Sequence, residues 1–332
     1  MHPFHWPQRV TIREVGLRDG LQSIARTLPT AQKLQWIQGA YDAGIREIEV
    51  GSFVPPKLLP QLADTAELVA FAKTLPGLVV SVLVPNLKGA ERAMDSGADW
   101  MLLPLSASHA HSLANLRKTP DEVVTDIAAM VEARRARGSN IRIEVGMSTA
   151  FGCTLQGRVE VDEVLRLLKA VLALGVDRVG LADTVGYADP RQVGELFAKA
   201  RQVAGNKLAC GHFHDTRGLG MANVMAAMRV EGFIVRYRLI EGEQQMLLLP
   251  LLPYSAAISR PSANVFHDRT AHLMRTGNFT TPCNASRSPS GAEVSGSPTS
   301  SMDIMCLKRW MSARASATGL PFTAALIIDA EL

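Results

Sequence analysis

The sequence predicts an α/β fold, a (β/α)8 barrel followed by an irregular C-terminal tail. Three observations predict it. Short apolar, β-branched runs alternate with longer helical patterns through the first two-thirds of the chain. A glycine closes several of the helical patterns just before the next run. Polar residues suited to chemistry gather at the C-terminal ends of the runs, where barrels of this kind carry their working side chains. With 332 residues, 47% hydrophobic and 20% charged, the chain can bury a sizeable core, and wholesale disorder is excluded.

In order, the expected strands are Val10–Val15, Glu47–Val50, Leu78–Val84, Trp100–Leu103, Ile141–Val145, Arg178–Ala182, Leu208–His212 and Phe233–Tyr237. Helical patterns fall at Ala31–Asp42, Gln61–Thr74, Pro120–Arg137, Val161–Leu174 and Arg191–Ala204. Gly44, Gly77, Gly97, Gly138 and Gly175 stand where a helix hands over to a strand. Eight units in about 240 residues fit a barrel, whose typical size is about 250. An open doubly wound sheet uses the same units, so the pattern alone does not separate the two.

The character changes near Gly232. Only five of the 26 glycines lie beyond it, and the alternation stops. Ala285–Ser301 holds seven serines and two prolines and reads as loop or disorder. The expected division is a barrel domain over 1–240 and an atypical tail over 241–332.

Composition excludes several classes. Thirty-five Lys and Arg against 31 Asp and Glu leave a net +4, too thin and scattered for nucleic-acid binding. The longest uncharged apolar run, Met246–Tyr254, is broken by two prolines and too short to span a bilayer. Four dispersed cysteines give neither a disulfide framework nor a zinc ribbon. No targeting segment is visible at Met1–Gln8, so a cytoplasmic location is expected. A homodimer is compatible with all of this.

The sharpest local feature is His212 with His214. On an extended segment residues i and i+2 point to one side, so both imidazoles can reach one metal ion. Asp19, on the first strand's loop, is the best candidate for a third ligand. Imidazole plus carboxylate without thiolate suits Mg²⁺, Mn²⁺, Fe²⁺ or Zn²⁺; hydrogen-bonded loop histidines are the plainer alternative. A second pair, His109 and His111, falls where a helix begins, and there i and i+2 diverge, so a substrate-loop or structural role is expected. Arg18 beside Asp19 can stabilise an enolate or bind a carboxylate, or else form a barrel-end salt bridge.

Five ordered motifs, from about Val10 to Gly232, resemble the 3-hydroxy-3-methylglutaryl-CoA lyase family of metal-dependent barrel enzymes. They are Glu14–Gln22 (EVGLRDGLQ), Glu49–Lys57 (EVGSFVPPK), Leu83–Gly89 (LVPNLKG), Leu181–Gly186 (LADTVG) and His212–Thr216 (HFHDT). The resemblance implies that Asp19, His212 and His214 hold Mg²⁺ or Mn²⁺. It implies that Arg18, Glu49 and Asp183 are catalytic, and that Gln22 and Thr184 contact substrate. The implied partner is an acyl-CoA thioester, cleaved to acetyl-CoA and acetoacetate by retro-Claisen chemistry, as in leucine degradation and ketone-body metabolism.

The chain also departs from that family. A glycine-rich loop of Gly-Gly-Cys-Pro type, with its cysteine and a following metal-binding asparagine, is expected after the eighth strand. Arg229–Arg236 continues without one. A shifted reading frame would produce such a tail, and an authentic divergent C-terminus is the alternative. Activity impaired by loss of that loop, an acetyl-CoA-dependent synthase acting on a 2-keto acid, and an inactive barrel are the competing readings.

Overall fold

The computed structural model describes residues 11–230, the backbone of the strand Ile234–Arg238 and the two-residue strand Ala324–Ala325. These all belong to one unit, Met1–Leu247 with Leu320–Leu332. Apart from Ala324–Ala325, the expected tail over 241–332 lies outside the described residues.

Eight parallel strands run in strict sequence order: β1 (Arg13–Glu14), β2 (Glu47–Ser52), β3 (Val79–Leu83), β4 (Trp100–Ser106), β5 (Arg142–Ser148), β6 (Arg178–Asp183), β7 (Leu208–His214) and β8 (Ile234–Arg238). A ninth, β9 (Ala324–Ala325), pairs antiparallel with β1. The connecting helices are α1 (Thr30–Asp42), α2 (Thr65–Ala72), α3 (Leu87–Ser96), α4 (His109–Leu116), α5 (Pro120–Ala136), α6 (Val161–Ala173), α7 (Pro190–Ala204) and α8 (Gly220–Met228). Consecutive parallel strands joined by helices are the barrel topology rather than the doubly wound one, whose strand order reverses. The open-sheet alternative is thereby set aside.

Local chemistry explains the element boundaries. All five glycines expected at helix ends have positive φ, between 58° and 94°, a region that costs other residues a Cβ clash. Thr119 and Asp189 each close a capping box with Glu122 and Gln192, which starts α5 and α7 where the proline allows. One expected helix is corrected. The Gln61–Thr74 pattern divides into a 3-10 turn at Pro60–Leu62 and the shorter α2. Asp64 lies between them, its carboxylate accepting from Lys33 Nζ at 2.7 Å and from Thr30 Oγ1 at 2.8 Å.

Strands β1 to β7 are largely buried on both faces, as parallel strands covered by helices must be. Ile48, Val80, Met101, Val145, Val179 and Leu208 belong to one continuous apolar core. Within it lies a closed ring of charge. Arg13 donates to Glu47 at 2.6 Å and to Glu144 at 2.9 Å, while Arg178 donates to Glu144 at 2.5 Å and to Glu47 at 2.7 Å. Two cations and two anions thus link β1 and β2 to β5 and β6. Burial pushes the Glu144 carboxyl up to about 7, against the pull of Arg13. Among the described residues no helix is long and apolar enough to cross a membrane.

Candidate active site

A π-helical turn, Gly16–Gly20, replaces ordinary helix directly after β1. It is anchored from below: Gly16 N donates to Glu14 Oε1 at 2.6 Å, and Asp19 N to the Val15 carbonyl at 2.7 Å. The turn presents Arg18 and Asp19 together, both nearly buried. Arg18 Nε donates to Glu49 Oε1 at 2.6 Å and its Nη1 to Asp19 Oδ1 at 2.9 Å. Burial works against the Arg18 charge, but the Glu49 and Asp19 carboxylates more than offset it and raise its pKa.

The strand end of β7 delivers the imidazoles. His212 Nε2 and His214 Nε2 stand 3.0 Å apart, and they lie 3.6 and 3.8 Å from Asp19 Oδ2. One ligand atom from each residue fits within 4.8 Å of the others. Two donors, each about 2.1 Å from an ion at right angles, stand about 3 Å apart, so the spacing suits a small divalent cation. The donor set, two neutral nitrogens and one carboxylate, has the hardness of Mg²⁺, Mn²⁺, Fe²⁺ or Zn²⁺ sites. The structure thus brings together the three residues that the sequence singled out.

The triad opens into a cavity of about 310 Å³ lined also by Arg18, Gln22, Thr184 and His111. Glu49 is fully buried behind Arg18. Asp183 sits elsewhere: its two oxygens accept from Tyr187 N at 2.9 Å and Ala188 N at 3.1 Å, so it shapes the loop between β6 and α7. Burial raises its pKa to about 6 despite those bonds. Thr184 Oγ1 accepts from Thr149 N at 2.8 Å. A side chain at Gly186, where φ is 68°, would place its Cβ 2.2 Å from Thr216 Oγ1, so this loop and the β7 loop are pressed together by the glycine.

Sequence reasoning missed two contributors and left His111 between a substrate-loop and a structural role. Glu144 and Cys210, from mid-strand positions, line the cavity floor. His111 lines its wall, hydrogen-bonded through Nδ1 to Ser106 Oγ at 2.8 Å. His109 is exposed at the start of α4, so the second histidine pair diverges as a helical pair should. The available signal for His111 was the Ser-x-x-His spacing from Ser108, the residue that caps α4. Cys153 is fully buried, its sulfur accepting from Leu155 N at 3.3 Å.

A family model described as HMGL-like matches residues 9–233, more than half of the chain. The chain belongs to this family. The HMGL-like chain is 35% identical over 226 residues to hydroxymethylglutaryl-CoA lyase YngG of Bacillus subtilis, covering 68% of itself and 75% of that protein. It is 36% identical over 230 residues to a 3-hydroxy-3-isohexenylglutaryl-CoA/hydroxymethylglutaryl-CoA lyase of Pseudomonas aeruginosa, covering 69% and 75%. Among solved structures, an HMG-CoA lyase from A. baumannii in complex with coenzyme A and 3-methylmalate superposes with a TM-score of 0.64 at 36% identity. That match covers 67% of this chain and 72% of the other. The HMGL-like chain is thus lyase-like throughout the residues that build the site.

Proposed function

We propose that this chain is a divalent-metal-dependent carbon–carbon lyase that cleaves 3-hydroxy-3-methylglutaryl-CoA, or a similar 3-hydroxyacyl-CoA, to acetyl-CoA and acetoacetate. The observation that carries the reading is the convergence of Asp19, His212 and His214 within 4.8 Å at the strand ends, with the Arg18 guanidinium against the same carboxylate. Support for a CoA thioester comes from the lyase relatives and from the relative that holds coenzyme A.

A Mg²⁺ or Mn²⁺ ion held by Asp19, His212 and His214 would supply Lewis acidity, polarising the substrate oxygens it contacts. The remaining chemistry belongs to the chain's own side chains. Arg18, kept charged by Glu49 and Asp19, sits where negative charge grows on the departing thioester and stabilises it in the transition state more than in the ground state. Glu49 fixes the guanidinium from the buried side. Gln22, at the cavity mouth, and Thr184, on its wall, orient the acyl group. Asp183 holds the loop that carries Thr184.

Two measurements test this. The purified chain with Mn²⁺ is expected to release acetoacetate from hydroxymethylglutaryl-CoA, and none should appear from the chain treated with a chelator. Calorimetric titration is expected to show Mn²⁺ binding that disappears in His212→Ala/His214→Ala. Release of acetoacetate at full rate from the chelated protein, or unchanged Mn²⁺ binding in the double variant, would overturn the reading.

A further inference from the structure

His111 is the cavity-lining imidazole that none of the steps above employs. A chain of hydroxyls leads to its Nδ1: Ser108 N donates to Thr149 Oγ1 at 3.0 Å, Thr149 Oγ1 lies 2.7 Å from the Ser148 carbonyl and 2.9 Å from Ser106 Oγ, and Ser106 Oγ lies 2.8 Å from Nδ1. When Thr149 donates to the Ser148 carbonyl and Ser106 to Thr149, Ser106 accepts from the Nδ1 proton, and the lone pair of the neutral imidazole is on Nε2. Among the described residues Nε2 has no hydrogen-bond partner, and the side chain faces the cavity shared with Arg18, Asp19, His212 and His214.

The support for this imidazole is rigid. Ser106 ends β4 and Thr149 follows β5. Thr149 is held at φ 54°, a region that costs a β-branched residue, and its bonds to Ser106, Ser108, Ser148 and Thr184 hold it there. Burial also lowers the His111 pKa below the ordinary value, so the ring is neutral at physiological pH.

We propose that His111 is a catalytic residue of this chain that moves one proton from the substrate hydroxyl to the departing carbon. Nε2 accepts the C3 hydroxyl proton; the O–H electron pair becomes the new carbonyl, and the C2–C3 pair passes into the thioester enolate. The imidazolium then returns the same proton to C2, giving acetyl-CoA. The balance needs no outside proton and no oxidant. It also needs no cysteine loop, which the sequence after β8 lacks. The Ser106–Thr149 chain accepts from Nδ1 throughout and steadies the imidazolium as it forms. The assignment rests on the lyase reading, but it can be tested apart from it.

The test uses the full chain with Mn²⁺ and two readouts: acetoacetate release from hydroxymethylglutaryl-CoA, and deuterium uptake into the methyl group of acetyl-CoA in D₂O. His111→Gln is expected to lower kcat by roughly 10²–10⁴-fold, with KM within a few-fold and Mn²⁺ affinity unchanged, and to slow deuterium uptake to the same degree. Ser106→Ala, which frees the tautomer, is expected to lower both rates at least about tenfold, and it carries the test should His111→Gln fail to fold. Exchange that depends on His111 without cleavage would sink the lyase reading and the hydroxyl half of this one, keeping only the proton transfer between His111 and C2. Cleavage unaffected by His111→Gln would do the reverse. A wild-type chain that neither cleaves nor exchanges would overturn both.

Discussion

Replacing Glu47 by Gln removes one of two anions from the charge ring inside the barrel. Arg13 and Arg178 then share only Glu144, and a net positive charge remains in the core. Every member is buried: the side chains of Arg13, Glu144, Glu47 and Arg178 are 0%, 1%, 8% and 10% exposed. Breaking a buried ion pair by removing one partner costs about 3–5 kcal/mol, because the surviving charge has lost its compensation. For a domain of this size each kcal/mol moves Tm by about 2–4 °C, so Glu47→Gln should lower Tm by roughly 6–20 °C. The assay is thermal unfolding followed by circular dichroism at pH 8, where Glu144, with its pKa of about 7, is ionised. The control is the double variant Glu47→Met/Arg178→Met. It removes one cation with one anion, leaves the Arg13–Glu144 pair intact, and places an apolar chain against the Trp100 ring that Arg178 covers at 3.6 Å. Swapping a buried pair for apolar groups is near neutral, so the double variant should recover at least half of the loss. A Glu47→Gln protein within about 1 kcal/mol of wild type, or a double variant worse than the single one, would refute the reasoning.

Arg18→Gln is expected to cut kcat by about 10²–10³-fold at saturating Mn²⁺, read by steady-state acetoacetate release. Because Arg18 also donates to Asp19 Oδ1, the same variant should change Mn²⁺ affinity by no more than about 10–100-fold, read by calorimetry. Asp183 has its folded pKa raised from 3.8 to about 6, so the fold favours its protonated form; that contribution is complete in acid and is lost as pH rises through about 6. The stability of Asp183→Asn relative to wild type should therefore grow by about 2 kcal/mol between pH 4 and pH 7, and a flat difference in unfolding midpoints would count against it.

Local signals were legible and non-local ones were not. The glycines at 44, 77, 97, 138 and 175 announced five helix ends because only φ > 0 was at issue, a property of single residues. His212 and His214 were legible because a strand puts i and i+2 on one side. Asp19 as their third partner required only that the strand ends meet. The charge ring was hidden. Arg13 and Glu144 lie 131 residues apart, as do Glu47 and Arg178, and charged residues in strand patterns read as solvated until the barrel brings them together. His111 was judged by its neighbour His109, whereas its chemistry is set by Ser106 and by Thr149, which is 38 positions away in sequence and adjacent in the fold. Asp183 stood in a family motif, and the motif did not reveal that both its oxygens are taken by the backbone of its own loop.

The carboxylate of Asp19 serves two cations at once, turning Oδ1 to the Arg18 guanidinium and Oδ2 to the pair of imidazoles. One anion so divided makes the two positive charges rivals. A divalent ion seated between the imidazoles would draw electron density from the shared group and loosen its hold on the guanidinium. An anionic substrate group that attracted Arg18 would leave more of Asp19 for the ion. Each event would therefore favour the other, and by reciprocity the free energy of that assistance would be the same in both directions. A single aspartate in a five-residue turn would then make ion and substrate arrive as partners.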